Sequence, residues 1–347
     1  MRGAVAWEAG APFRVHEDLA RREPGPGEVV VRIRAAGVCQ TDISLAHGAF
    51  GQTMPVVLGH EGAGEVLEVG PGVSGVAAGD RVVLTWVPPC GHCYFCVRGE
   101  TYICANRKRA SERGAGADLT VDGTPVQAGM GTATFAQETV VGANAVIPVP
   151  ADLPFELAAL LGCAVPTGLG AVLNTARAQP GDTVLVIGCG AVGLSAVQGA
   201  VIAGASLVVA RDPQPARRAM AERLGARDGT AEVGFDVVID AVGNSRTIRE
   251  AWDAARRGGT VVVVGAGKAD DQVTFSAAEL FHDQKRLLGC FYGSADMRFE
   301  VPRMVALWRA GRLQLEPLVD EVVGLDRINE AVERQTGGTA VRVMLAP

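Results

Sequence analysis

The sequence predicts an α/β protein made of a doubly wound parallel sheet and a second, β-rich domain. Three observations carry that expectation. From Asp182 to about Gly289 short apolar runs alternate with helical stretches, the plan of a parallel sheet covered by helices. Ahead of it, short runs with a period of two are separated by Gly/Pro turns, which suits a small barrel better than flat layers. At the start of that alternating region, Val184-Leu-Val-Ile-Gly-Cys-Gly-Ala-Val-Gly193 reads as a buried strand, a glycine turn and the start of a helix.

Composition bounds the answer. A chain of 347 residues has room for two domains with separate cores. No run of roughly eighteen apolar residues is present, so no membrane span is expected. The net charge of −6, without a basic cluster, argues against nucleic acid as a partner. The N-terminus enters a strand-like pattern at once and has no signal-peptide plan, which predicts a cytoplasmic protein. In a reducing compartment the eight cysteines are metal ligands or thiols before they are disulfides.

In chain order, Val29–Arg34, Gly64–Gly70 and Gly79–Leu84 read as strands, and residues 88–104 hold a cysteine-rich segment. From Asn106 to about Met130 the chain is polar and Gly-rich, with Arg107-Lys-Arg109 and Ser111-Glu-Arg113 as solvated charge, and reads as a surface loop or lid. Thr134-Phe-Ala and Thr139-Val-Val read as strands returning to the barrel. Phe155–Cys163 and Thr167–Ala178 have helical spacing. Strands follow at Val184–Ile187, Leu207–Ala210, Val237–Ile239 and Val261–Val264, then a helix near Arg298–Arg309 and a last strand at Ala340–Leu345. The expected domains are 1–164, with a metal lobe at 88–106, then 165–290, and a tail, 291–347, too short to bury a core alone and so returning to the first domain.

Two motifs carry chemistry. In the glycine motif Gly188 permits the tight turn, Gly190 leaves space for a pyrophosphate at the backbone, and Gly193, beside Val192, lets helix and strand pack closely. Free N–H groups at the helix start suit phosphate. Asp212, just beyond the second strand, can accept hydrogen bonds from an adenosine ribose and repel a 2′-phosphate, which favours NAD over NADP, although Arg211 stands beside it. Cys90-x2-Cys93-x2-Cys96-x7-Cys104 has the spacing of a closed tetrahedral zinc site, with disulfides, redox pairs or an iron–sulfur cluster as alternatives. Cys39, His60 and Cys163 stand alone, and spacing does not unite them.

Together these features resemble the zinc-containing alcohol dehydrogenases of the medium-chain dehydrogenase/reductase superfamily, from Arg2 to about Leu345. The resemblance rests on Gly37-Val-Cys-x-Thr-Asp42, Gly59-His-Glu-x2-Gly64 with Gly70 and Val73, the four-cysteine lobe and the glycine motif. It implies a GroES-like barrel as catalytic domain and a Rossmann-type cofactor domain. It also implies two zinc ions per chain: a structural one on Cys90, Cys93, Cys96 and Cys104, and a catalytic one on Cys39, His60 and Cys163. Asp42 and Glu61 match carboxylates supporting the catalytic ligands, Asp42 orienting the ring of His60. Thr41 matches the hydroxyl that takes the alcohol proton. Ser44 stands where some members have a histidine, so the last transfer goes to water.

For the cofactor, the resemblance adds Arg217 near the adenosine ribose, Val242, Gly243 and Gly265 at the cofactor edge, and Arg342 at the pyrophosphate. Gln40 replaces a second pyrophosphate arginine of some members, and Trp86 lines the substrate pocket. The implied activity is reversible NAD-dependent oxidation of primary alcohols, aromatic, allylic or otherwise apolar, by hydride transfer from a zinc alkoxide. A thiol-dependent formaldehyde dehydrogenase is the alternative; an imine or alkene reductase with structural zinc only, and a non-catalytic NAD sensor, stand behind it. The family associates as homodimers or homotetramers through its cofactor domains, for which the apolar Val261–Val264 segment is a candidate.

Overall fold

The structure, a computed structural model, describes residues 1–106, 118–228 and 234–347. The chain forms two compact units, one of residues 1–163, 296–306 and 319–347, the other of 164–295 and 307–318.

The first unit holds two mixed sheets. The larger is centred on the strand Glu28–Gly37, which pairs antiparallel with Glu61–Val69. Outward from Glu61–Val69 lie Arg81–Leu84 and Val146–Pro148. On the other edge of Glu28–Gly37 lie Glu138–Gly142 and, nearer its end, the terminal strand Val343–Ala346. Alternation in Val29-Val-Val-Arg-Ile-Arg puts Val31 and Ile33 into the core and Arg32 and Arg34 into solvent. The core between the sheets is aliphatic, with Phe13 and Phe135 edge-on at 6.0 Å.

Two expectations for this unit fail. Residues 118–130 are not a loop. Leu119–Val121 and Thr124–Ala128 form an antiparallel hairpin whose Leu119, Val121 and Val126 are buried. Its two-residue turn has positive φ at both Asp122 (47°) and Gly123 (75°), and Asp-Gly between alternating residues was a legible hairpin signal. The charged groups Arg107-Lys-Arg109 and Ser111-Glu-Arg113 lie outside the described residues. Thr134-Phe-Ala is likewise no strand; it makes one bridge, Gly3 to Ala136, and gives its N–H groups to Gly59 and Leu58 instead.

The second unit is a six-stranded, all-parallel sheet in the order 227–228, 207–211, 183–187, 235–240, 255–263, 286–289. Numbered along the chain that order is 3-2-1-4-5-6, the Rossmann arrangement, in which ligands bind beyond the carboxyl ends of the central strands. The near-continuous apolar runs fit strands buried on both faces. Val261 and Val262 are interior to this sheet, flanked on both sides by strands, so they are not an association surface. The exposed apolar residues lie one strand further on, at the edge: Leu287, Leu288 and, in the preceding helix, Leu280 and Phe281. Thr167–Ala178 is helical in two parts, Ala164–Gly170 and a wider π-helical turn over Ala171–Ala176. Among the described residues no helix is long and apolar enough to cross a membrane.

Candidate active site and metal centres

The first unit brings Cys39, His60 and Cys163 together, with their ligand atoms within 4.8 Å of one another. Cys39 follows the central strand and starts the helix Gln40–Ala46; His60 immediately precedes the strand Glu61–Val69; Cys163 follows the helix Phe155–Leu160. All three are buried. His60 Nε2 lies 3.3 Å from Cys163 Sγ, near the edge of about 3.5 Å expected of a tetrahedron with zinc–sulfur and zinc–nitrogen bonds of ordinary length.

Asp42 joins two of these segments. Its Oδ1 accepts the Gly59 N–H at 3.0 Å and His60 Nδ1–H at 2.9 Å, and its Oδ2 accepts the Cys39 N–H at 3.3 Å. A carboxylate only accepts here, so Nδ1 carries a proton, and Nε2, beside the two sulfurs, is the nitrogen that would face a metal ion. A hydrogen bond from Cys163 holds the Cys39 thiol well below its ordinary value, and the same bond together with burial pushes Cys163 well above it. Burial lowers the His60 imidazole, but the charges of Asp42 and Cys39 outweigh it and hold it high. Three ionisable groups thus perturb one another's protonation in a buried pocket. A divalent cation satisfies all three at once, and three protein donors leave a fourth position for water or substrate.

Glu61 is fully buried next to His60, its Oε2 2.9 Å from Arg342 Nε, and Arg342 Nη1 donates to the Val38 carbonyl at 2.5 Å. Arg342 is 3% exposed and held by Glu61 and the Val38 carbonyl. Trp86 packs edge-on against the His60 ring at 5.8 Å between centroids. Thr41 and Ser44, one helical turn apart, are both half-exposed on one face of Gln40–Ala46.

The second cluster unites Cys90, Cys93, Cys96 and Cys104. The sulfurs of Cys90 and Cys96 are 3.9 Å apart, as are those of Cys93 and Cys104. That matches the edge of about 3.8 Å of a tetrathiolate zinc site and is far from a disulfide of about 2.05 Å. The Cys93 N–H and Asn106 Nδ2 donate to Cys90 Sγ at 3.4 and 3.3 Å. Burial disfavours ionising Cys90, yet N–H donors at His92, Asn106 and Cys93 bring it down to about 5, while burial pushes Cys96 up to about 12. Without a cation the four sulfurs cannot all be thiolates; with one they can. Asn106, two residues after the last ligand, is a contact that spacing alone did not single out.

In the second unit the backbone of the glycine motif leaves two of its glycines no room for a side chain. Gly188 has φ +89°, and a Cβ there would meet Val242 Cγ2 at 2.7 Å. A Cβ on Gly193 would lie 1.7 Å from the Gly188 carbonyl oxygen. Beside Gly190 the space is open for at least 4 Å, and Gly190 caps the helix Ala191–Ala203, whose first turn includes Val192. Asp212 closes the turn: its Oδ2 accepts the Cys189 N–H and its Oδ1 the Gln214 N–H, both at 2.8 Å, with Arg217 Nη1 3.9 Å away. Val242 and Gly243 line an open pocket of about 550 Å³ that continues over Ala266 to Asp271, and Gly265 abuts Gly243 so closely that neither tolerates a Cβ. Asp240, buried at the end of its strand, accepts the Val242 and Gly243 N–H groups at 3.1 Å and so shapes that edge. An acid after an apolar strand was the available signal, and only Asp212 had been picked out by it.

These glycines separate folding from binding. Gly190→Ala is expected to unfold at a wild-type temperature, since φ is −73° and the space is free. If a dinucleotide binds here, its affinity, by fluorescence titration, should fall at least about tenfold, because the methyl would occupy space a pyrophosphate needs. Unchanged affinity would remove the dinucleotide from this turn.

The alcohol dehydrogenase GroES-like domain model matches residues 25–151, and the zinc-binding dehydrogenase model matches 191–308. An S-(hydroxymethyl)glutathione dehydrogenase of Synechocystis is 36% identical over 99% of both chains. The chain belongs to the zinc-dependent alcohol dehydrogenases of the medium-chain dehydrogenase/reductase superfamily. Among solved structures, an alcohol dehydrogenase zinc-binding domain protein from Burkholderia ambifaria superposes with TM-score 0.94 at 34% identity, covering 99% of this chain and 98% of that one. Benzyl alcohol dehydrogenase from Acinetobacter calcoaceticus superposes at 0.92 with 29% identity and the same coverage. A zinc-binding dehydrogenase of Sinorhizobium meliloti bound to NADP superposes at 0.82 with 27% identity, covering 100% and 99%. This alcohol dehydrogenase thus combines the GroES-like and Rossmann-like domains of its family with a Cys/His site and a four-cysteine cluster, both compatible with zinc.

Proposed function

We propose that this alcohol dehydrogenase reversibly oxidises primary alcohols with an aromatic, allylic or other apolar body to aldehydes, with NAD as hydride acceptor. The observation that carries the reading is the buried Cys39–His60–Cys163 set, three donors with Trp86 packed against the histidine. A zinc ion held there supplies Lewis acidity that lowers the pKa of an alcohol. NAD supplies the carbon that accepts the hydride. Everything else falls to side chains of the protein. Asp42 keeps the His60 proton on Nδ1, and Arg342, paired with Glu61, favours the Cys39 thiolate by its charge. Thr41 Oγ1 takes the alcohol proton while passing its own on, and with Ser44 next on that face the last acceptor is water. Asp212 meets the ribose hydroxyls and disfavours a 2′-phosphate.

The names of relatives favour a second reading, oxidation of a hydroxymethyl thiol. Against it, the Synechocystis alignment runs over 367 residues, more than the 347 of this chain, so the relative carries residues without counterpart here. Reduced-nicotinamide absorbance with benzyl, allylic and aliphatic alcohols, and with formaldehyde plus glutathione, separates the two. Turnover of benzyl or allylic alcohols with NAD, and less with NADP, is expected. No turnover of any alcohol, or a rate that depends on the thiol, would sink the first reading. We also propose self-association through the exposed edge Arg286–Gly289, where Leu287 is 41% and Leu288 36% exposed; a monomeric sedimentation coefficient would exclude it.

A further inference from the structure

Gly59 turns left-handed, φ +94°, immediately before His60, and its peptide is gripped on both sides. Its N–H donates to Asp42 Oδ1 at 3.0 Å. Its carbonyl accepts two hydrogen bonds, one from Thr132 Oγ1 at 2.9 Å and one from the Thr134 N–H at 3.0 Å. The Phe135 N–H takes the neighbouring carbonyl of Leu58 at 2.9 Å. The fit leaves no slack: a Cβ on Gly59 would lie 2.4 Å from Thr134 Oγ1 and 2.6 Å from Phe135 Cδ1. On the far side of His60 and Glu61, a Cβ on Gly62 would lie 2.4 Å from Thr134 Cγ2. Thr132 and Thr134 are both buried.

The clamping segment is itself held in a costly backbone. Met130 and Ala133 have φ of +51° and +46° without a glycine's freedom, a conformation that persists only where surrounding contacts over-determine it. Thr132 has a second acceptor, Gly129 O, but at 3.4 Å it is at the limit of a hydrogen bond, so Gly59 is the partner that matters. Two donors on the two lone pairs of one carbonyl fix the plane of its peptide. Asp42 then couples that plane to the imidazole, because the same Oδ1 holds both the Gly59 N–H and His60 Nδ1.

We infer that Thr132 is a positioning residue for the metal at Cys39, His60 and Cys163, acting through the Gly59 peptide to set the direction of His60 Nε2. The inference rests on the zinc reading of that site. Without the hydroxyl the Gly59 carbonyl keeps one donor, the peptide can rock about its bond to Asp42, and Nε2 swings away from the two sulfurs. Partners of this kind, outside the ligands themselves, commonly change metal affinity by about 10–100-fold.

The test uses the zinc-loaded protein and a chromophoric chelator. In Thr132→Val, release of the ion at the Cys/His site is expected to speed up about tenfold. Release from the four-cysteine cluster and the thermal midpoint should stay at wild-type values, and Thr132→Ser, which keeps the hydroxyl, should restore slow release. Cobalt substitution gives a second readout: the visible absorption of the Cys/His site should shift in Thr132→Val and not in Thr132→Ser. If Thr132→Val does not fold, Thr132→Ala serves with the same expectations. Wild-type release and an unshifted cobalt spectrum, or equal acceleration at both sites with a fallen midpoint, would overturn the positioning role. A wild-type protein that binds zinc only at the four-cysteine cluster would instead remove the zinc reading on which the role depends.

Discussion

Cys163→Ser should leave one zinc ion per chain in place of two and lower kcat/KM for alcohols by about a thousandfold, while the protein still folds. Serine keeps the volume but not the anion, because its hydroxyl stays protonated where a thiol gives a thiolate. The remaining donors, Cys39 and His60, are two where at least three are needed for a tight site, and the lost interaction is the one that stabilises developing charge on oxygen. Cys163 is buried, but serine nearly keeps its volume, so the thermal midpoint should fall little. Metal analysis and steady-state kinetics check the two parts separately. Two zinc ions with full activity would show that Cys163 is a core thiol and that the catalytic ion, if any, sits elsewhere.

Breaking the other cluster should do the opposite. Cys104→Ala is expected to cost several kcal/mol of stability, lowering the thermal midpoint by about 5–10 °C, and to open residues 90–104 to proteolysis. Little else holds that segment. Tyr94 is 67% and Val97 69% exposed, and none of its side chains joins the aliphatic core of the first unit. The short helix Tyr94–Val97 has a single turn, too short to persist alone. Four thiolates around a cation would therefore act as the core of this lobe. Differential scanning calorimetry and limited proteolysis measure the loss. A midpoint and cleavage pattern identical to wild type would mean that the cluster carries no structural metal.

The legible parts of this protein were those in which neighbours along the chain are neighbours in space. Alternation made the strand Glu28–Gly37 readable, and the spacing of Cys90, Cys93, Cys96 and Cys104 made one cluster readable, because each depends on residues a turn or two apart. The hairpin 119–128 was missed although Asp122-Gly123 announced it, since the polar composition around it outweighed the turn. Thr134-Phe-Ala misled in the opposite way: its β-prone residues lie in a turn, and the Thr134 and Phe135 N–H groups clamp Gly59 and Leu58 rather than joining a sheet.

Arg342 and Val261–Val264 show the same limit in other forms. Nothing local to Arg342 says that Glu61, far upstream, lies beside it in the interior. An apolar strand reads alike whether it is inside a sheet or at its rim; Val262 and Leu287 differ only in whether a further strand lies beyond.

By itself the sequence determined the class of fold, the glycine turn, the acid after the second strand and the four-cysteine cluster, because hydrophobic period, backbone conformation and short-range ligand spacing are local physics. The convergence of Cys39, His60 and Cys163 was decided only by the tertiary structure. Their sulfurs and imidazole meet because Asp42 ties two distant segments and the helix Phe155–Leu160, packed on the sheet, brings a third, and no energy term acting along the chain records that meeting.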